Sequence, residues 1–441
     1  MARPGCQNRP ASQNRPASQN RPASQNRPAS QDGPAGENRT VAQARYPLGA
    51  GVTVASLAAD PHPTLRRLRE AEPVSWLPAL SGWLVTRADL ADQVLRNPGA
   101  FTVDDHRFTT ARVVGPSMLS LDGAEHSRHR DPFAAALRLP QARAELAQAC
   151  EREAARLVAA LAAAGTEAEL RRGLAGQLAV SVMAAMLGLD VAPSQLLTWY
   201  DAIVAGVSAL SEGDGPAAAV PAGAAAAFAE LSDCVQASLA RPGKQSVLTA
   251  AAGQLAAGEI VSNAAVMLFG GIETTEGMIC NTVWYLLGDD ASLGEVTADR
   301  SLAGSAVEEA LRLEPAAAVV DRYATADVKL GSAEVRERDL VIVSLAGANR
   351  DPAVFANPDR FELHRQNARQ HWSFAVGPHF CVGAQLARAE ARAALGALLD
   401  QLPGLRLDRA RPSAPQGLVF RKPASLHVRW DSEARVPADT G

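Results

Sequence analysis

The chain contains no Cys-x-x-Cys pair, which leaves a zinc ribbon without support, and no Cys-x-x-Cys-His, which excludes covalent attachment of a c-type haem. Its five cysteines (Cys6, Cys150, Cys234, Cys280, Cys381) follow no spacing pattern. An odd, scattered set reads as reduced thiols, and the expected compartment is the cytoplasm. No apolar run is long enough for a membrane span: the longest, 216–229, is mostly alanine and is broken by Pro221 and Gly223. The region after Met1 is polar, which argues against a secretory signal or anchor. Neither a flavin nor a nicotinamide fingerprint is visible, so any reducing power must come from another protein. A formal charge of -4 gives no reason to expect nucleic acid as a partner. Aromatic residues amount to only 5%, while 47% of the chain is hydrophobic, enough for one large core or two smaller ones.

Residues 7–30 are four copies of Gln-Asn-Arg-Pro-Ala-Ser, with a decayed fifth copy at 31–36. A polar hexapeptide with proline in every unit has no apolar face to bury, and 1–42 is expected to be a disordered tail on a single domain, 43–441. The domain opens with a helix at 63–72, strands at 73–86 turning at Ser81-Gly82, and a helix at 87–95 stopped by Asn97-Pro98. Residues 101–120 show no sustained period and read as a long loop. Asp122 is placed to N-cap the helix that follows, with His126 and Arg130 four apart on one face and Pro132 expected to kink or shorten it. From 139 to 240 the pattern is alanine-rich and helical, with breaks near 188–190, 213–216 and 221–223.

Two stretches carry the chemistry. Near the C-terminus, Phe374-Ala375-Val376-Gly377-Pro378-His379-Phe380-Cys381-Val382-Gly383 precedes a helical pattern at 384–399. The glycines allow a tight turn and a close approach to a flat ligand, and the helix N-terminus is expected to favour the Cys381 thiolate, the form that ligates metal. A single thiolate suits haem iron, whose porphyrin supplies the other four donors. Upstream, 259–287 reads as one long helix, apolar nearly all round, interrupted by Gly270-Gly271-Ile272-Glu273-Thr274-Thr275. Adjacent mid-helix glycines cost about 2 kcal/mol relative to alanine, which suggests a steric reason for them. Val266, Gly270, Thr274 and Gly277 form one stripe narrow enough to meet a flat ring. Alone, Thr274 could equally well back-bond to the preceding turn while Glu273 reaches the surface.

Phe374-x-x-Gly377-x-His379-x-Cys381-x-Gly383 resembles the haem-binding loop of the cytochrome P-450 family. Glu273-Thr274 resembles the family's oxygen-activating pair, and Glu309-x-x-Arg312 its buried ion pair, completed by Arg360 of Pro358-Asp359-Arg360-Phe361. The resemblance spans 46–430, and Ala375 departs from it by standing where a glycine is common. It implies a mainly α fold, a helical triangular prism with a small β-rich lobe. It also implies haem b with Cys381 as axial ligand, and propionate contacts from His126, Arg130, Arg322 and His379. Gly270, Phe374 and Gly383 would lie against the cofactor. Val266, Val319 and Val320, with Pro423 and Ala424 at the tip of the last hairpin, would line the substrate pocket. The activity implied is that of a soluble, monomeric bacterial monooxygenase that hydroxylates or epoxidises a small organic substrate of secondary metabolism. Its electrons would come from a ferredoxin and its reductase, with Arg128, Arg388 and Arg392 as docking candidates. Oxidative coupling or ring formation on the same haem, and a catalytically silent haem-carrying partner protein, are the alternatives.

Overall fold

The computed structural model describes residues 45–212, 219–241 and 246–432, so the hexapeptide repeats and the break expected at 213–216 lie outside it. The described residues fall within one unit, Ala42–Gly441. A small sheet and a larger body of helices share the work of positioning the site.

The sheet begins as the pattern predicts. Helix α1 (His62–Ala71) leads into strands β1 (Val74–Leu77) and β2 (Gly82–Val85), whose turn places Ser81 in the left-handed region, and α2 (Ala88–Leu95) follows. Three further strands complete a sheet of order β1-β2-β5-β4-β3: β3 (Phe101–Thr102), β4 (Val319–Ala324) and β5 (Leu340–Ser344). β2 and β5 run parallel, while β4 and β5 are antiparallel with Val320 opposite Val343 and Arg322 opposite Val341.

The stretch 101–120 is not a bare loop. Helix α3 (Thr109–Val114) forms inside it and buries Val113 and Val114; six residues are too few to show a period in the sequence. Asp122 has N-cap backbone angles before α4 (Gly123–Arg138), but its carboxylate makes no cap. It accepts instead from Thr102 Oγ1 at 2.6 Å and from the Val103 N–H at 2.8 Å. Pro132 does not shorten α4, which continues to Arg138; the backbone bond that proline removes is offset by burial of Phe133, Ala134 and Leu137 beside it.

The helical body contains α5 (Pro140–Ala164), α6 (Gly176–Leu187), α7 (Pro193–Glu212), α8 (Ala222–Leu239), α9 (Ala257–Leu287), α10 (Ala303–Leu313) and α11 (Ala384–Gln401). Helix α9 is its axis, with α6, α8, α10 and α11 packed against it. Its first half, Ile260 to Ile272, belongs to a core with Met183 and Leu187 of α6, and its second half, Met278 to Leu287, to another with Val307, Leu311 and Leu398. Each fully buried leucine or isoleucine there contributes about 2 kcal/mol. The hand-over between the cores falls at 273–277, where the sequence places its acid and alcohol.

Candidate active site

Backbone bonds fold the cysteine loop back on itself. The Cys381 N–H donates to the Phe374 carbonyl at 2.9 Å and the Phe380 N–H to the Gly377 carbonyl at 3.1 Å. Gly377 has φ +77, and a Cβ there would lie 2.5 Å from the Leu95 carbonyl, so no other residue fits without displacing α2. Ala375 also stands in the left-handed region, at φ +53, which explains why glycine is the residue expected there and why alanine costs stability. Gly383 has ordinary φ; a Cβ on it would point at Cys381 Sγ, 4.0 Å away. The Phe374 ring lies under the Arg388 guanidinium, 4.5 Å from its centroid.

Cys381 is a free thiol, partly accessible. Contrary to the expectation from the helix N-terminus, burial pushes the thiol above its ordinary value, against the Gly383 N–H, Arg130 and Arg388. Metal coordination deprotonates a thiol outright, so ligation does not depend on the dipole. Among the described residues no cluster of three or more His, Cys, Asp or Glu could hold a metal ion, so iron at Cys381 would take its other donors from a non-protein ligand.

The loop lies beside the central helix: Val382 and Leu386 pack against the cluster that holds Val266, Met267 and Leu268 of α9. Around the mid-helix glycines the burial of α9 lapses, with Gly270 exposed and Phe269, Gly271, Glu273 and Thr274 half-buried. The two glycines have different reasons. A Cβ on Gly271 would sit 2.3 Å from Met183 Sδ, whereas one on Gly270 would meet nothing within 4 Å. Gly271 serves helix packing, and Gly270 borders an open slot. Gly277 leaves the expected stripe, since its missing Cβ makes room for Ala316, 3.0 Å away. Thr274 Oγ1 donates to the Gly270 carbonyl. Half-buried Glu273 is not free at a surface; Tyr200 and Lys422 hold it.

Four groups proposed for carboxylates cluster around the same loop. His126 is buried with no partner on Nε2, and its ring centre is 4.2 Å from that of His379. Burial, His379 and Arg130 depress His126 to about 4, leaving it neutral at pH 7. Arg130 donates to the Phe380 carbonyl. Buried Arg322 donates to the carbonyl of its neighbour Asp321 at 2.7 Å. His379 Nε2 lies 2.8 Å from Asp122 Oδ1, and despite burial that aspartate is held at about 2 by His379, Thr102 and the Val103 N–H. An orphaned imidazole nitrogen and two guanidiniums with only carbonyls to bind are a donor set that fits the carboxylates of a haem.

The frame behind the loop departs from expectation at one residue. Arg312 forms a bidentate pair with Glu309, both contacts 2.8 Å and both side chains fully buried. Its third member is Arg365, whose Nε lies 2.9 Å from Glu309 Oε1; Arg360 is exposed and contributes only its carbonyl, which accepts from Arg312 at 3.0 Å. The turn through left-handed Asn357 carries the Arg360 side chain outward and lets Arg365 come back.

The pocket residues are not brought together as a set. Val266 is buried in the α9 core. Val319 and Val320 point to opposite faces of β4, Val320 with the core of Val341 and Val343 and Val319 with Leu57 and Leu65. The last hairpin pairs β6 (Pro415–Gln416) with β7 (Lys422–Pro423), so its tip is 417–421 and not Pro423-Ala424. At that tip Phe420 packs edge-on to Phe269 of α9, with ring centres 5.5 Å apart, and Val419 is exposed. Pro423 is buried, and the carbonyl of exposed Ala424 accepts from Arg171. Of the docking candidates, Arg128 is tied to Glu125 and Glu259 and Arg388 to Glu308, while Arg392 is exposed. Sequence reasoning missed Tyr200 and Arg365, which fall in no motif it used, and within the last-hairpin stretch 420–426 it picked Pro423 and Ala424 where Phe420 and Lys422 make the contacts to α9.

Comparison with known proteins agrees with this geometry. The family model for cytochrome P-450 matches residues 297–420. Nocardicin C N-oxygenase of Nocardia uniformis subsp. tsuyamanensis is 33% identical over 87% of this chain and 98% of its own. Mycinamicin IV hydroxylase/epoxidase of Micromonospora griseorubida is 35% identical over 82% of this chain and 94% of its own. Among solved structures, that of CalO2 superposes with a TM-score of 0.76 at 28% identity, covering 86% of this chain and 99% of that one.

Proposed function

The chain belongs to the cytochrome P-450 family and is an oxygen-incorporating oxidoreductase, and from that premise we propose a monooxygenase that hydroxylates or epoxidises a small organic substrate of secondary metabolism. Relatives named for acting on nocardicin C and mycinamicin IV support that substrate class. The donor is a separate ferredoxin with its reductase, and Arg392 is the exposed arginine available to an acidic partner. The haem is haem b, the domain spans 43–441 as a monomer, and 1–42 is an appended tail.

The observation that carries this reading is the meeting of a lone accessible thiol, an orphaned buried His126 nitrogen and an open slot beside Gly270. Cys381 would ligate the iron, with Phe374 and Gly383 beside it. His126, Arg130, Arg322 and His379 would hold the propionates. Bound there, haem supplies the iron chemistry that splits dioxygen and places one oxygen atom in the substrate. The protein's part is to position and to supply protons. Thr274 keeps its hydroxyl at the slot, with its proton on the Gly270 carbonyl until a stronger acceptor arrives. Glu273, next to it, would relay protons to that hydroxyl, its carboxylate taking up each proton from outside before passing it on. Phe269 and Phe420 form an apolar wall that excludes water from the substrate side.

The test is isotopic. Purified protein with ferredoxin, reductase, NADPH and labelled dioxygen is given a ligand chosen by spin-state titration. One labelled oxygen atom per product molecule is expected. Unlabelled, ring-closed or dimeric product would move the reading to oxidative coupling, and no oxygen uptake with any ligand that shifts the spectrum would move it to a silent partner protein.

A further inference from the structure

Glu273 is gripped on both oxygens by residues from distant parts of the chain. Lys422 Nζ lies 2.6 Å from Oε1, and the Tyr200 hydroxyl donates to Oε2. Lys422 comes from β7 of the last hairpin and Tyr200 from α7, so the acid of the central helix is fastened to two elements that reach it independently.

The surroundings make Lys422 the dominant partner. Its ammonium also lies 2.8 Å from Glu276 Oε1, three residues along the same face of α9. Glu276 is almost fully buried; Arg171 shares its Oε1 with Lys422, and Arg172 lies 3.4 Å from its Oε2. The charged groups facing Glu273 are therefore Lys422 from the hairpin, Glu276 from its own helix and Arg171 from the segment before α6, with the Tyr200 phenol from α7. Remove Lys422, and half-buried Glu273 and buried Glu276, at i and i+3, lose the cation between them; Glu276 keeps Arg171 and Arg172, so Glu273 is the one driven to take up a proton. Only three of the 43 basic residues in the chain are lysines. A compact point charge on a flexible stem is well placed between two carboxylates.

We propose that Lys422 and Tyr200 are positioning residues for Glu273: they clamp the acid from two sides and hold its carboxylate in place beside Thr274. Lys422 is the fixed jaw, buried and anchored by Glu276. Tyr200 is the releasable one, because its bond lasts only while α7 stays seated against α9. Proton supply at Glu273 thereby depends on the placement of α7 and of the C-terminal hairpin. Burial pushes the Glu273 carboxyl up, yet Lys422, Tyr200 and Arg171 together hold it below its ordinary value. The role of the clamp in catalysis rests on the reading of Glu273 as a proton relay for oxygen activation; the clamp itself does not.

The experiment is an infrared pH titration of the carboxyl stretch in full-length, haem-loaded protein, with Glu273→Gln identifying the band. Lys422→Met is expected to raise the Glu273 midpoint, Tyr200→Phe to raise it less, and Lys422→Arg to return it toward wild type. The same Lys422→Met protein should bind substrate with an unchanged spin-state midpoint while product per NADPH falls about tenfold. An unmoved midpoint in Lys422→Met overturns the clamp. Should that variant fail to bind haem, Tyr200→Phe decides, and an unmoved midpoint there overturns the clamp equally. If the midpoints shift as expected but Glu273→Gln keeps full coupling, the clamp stands and the proton-relay reading falls.

Discussion

The two sides of the candidate site are built by opposite means. On the cysteine side the backbone is over-determined: left-handed turns at Ala375 and Gly377, loop bonds from Cys381 and Phe380, and a buried Glu309–Arg312–Arg365 network behind them. On the central-helix side Gly270 stands open, Thr274 has one local bond, and Glu273 depends on Tyr200 and Lys422 from elsewhere. A rigid cradle faces a helix whose acid is set by tertiary contacts, which suits the proposed work of holding a metal still while protons move. The difference also predicts unlike responses to substitution.

The largest effect belongs to the cradle. Arg312→Met leaves Glu309 charged and buried with only Arg365, and should cost about 3–5 kcal/mol, seen as loss of haem and a low denaturation midpoint. Arg365→Met should follow it in direction, while Arg360→Met changes little because that side chain is exposed. Equal effects of Arg360 and Arg365 would break the assignment of the third member.

The central helix should respond in chemistry and not in stability. Thr274→Ala removes a hydroxyl bonded only to its own helix, and alanine is a good helix former, so melting and the spin-state titration stay near wild type. NADPH consumption should continue with peroxide released and product diminished. Unchanged coupling would make Thr274 structural.

A third contrast is set by pH. Glu314, at the end of α10, ties it to α1 through His62 at 2.9 Å and to the last hairpin through Arg421 at 2.6 Å, and although burial raises it, His62, Arg421 and Arg350 bring it to about 2. Its folded pKa lies below the unfolded one. Its contribution, about 3 kcal/mol, is therefore present above pH 4.5 and lost as pH falls toward 2. Glu390 has the reverse sign: buried, with no partner on Oε2, it is pushed well above the ordinary value. Stability from that group is present below pH 4.5 and lost as pH rises, so Glu390→Met should stabilise at pH 8 and much less at pH 5. Denaturation midpoints across pH, with Glu314→Gln flattening the acid limb, check both.

The smallest effect sharpens the account of the loop. Ala375→Gly relieves a left-handed alanine and should stabilise by about 1 kcal/mol without altering the haem spectrum. A destabilised variant would show that the alanine methyl packs better than its backbone suffers.

The same contrast explains what could be read from the residues in order. Features coded by neighbouring positions were legible: the cysteine loop, the Glu309-x-x-Arg312 pair, the long central helix and the β1–β2 hairpin each depend on spacings of a few residues. Features decided by how distant segments meet were not. Arg365 displaced Arg360 because a turn at Asn357 redirects the chain, and Val319 parted from Val320 because a strand alternates its faces. Tyr200 lies 73 residues from the acid it touches, and nothing local in either segment announces the contact. Asp122 had the right backbone for an N-cap, but its carboxylate went to stronger competitors, Thr102 and His379.

The central claim is that Cys381, held in this cradle, is the thiolate ligand of a haem. The most direct measurement is the reduced carbon monoxide difference spectrum of Cys381→His beside wild type. Wild type should show the strongly red-shifted band of thiolate-ligated haem, and the variant should lose it while keeping some haem on His126, Arg130, Arg322 and His379. A red-shifted band that persists unchanged in Cys381→His would contradict the account.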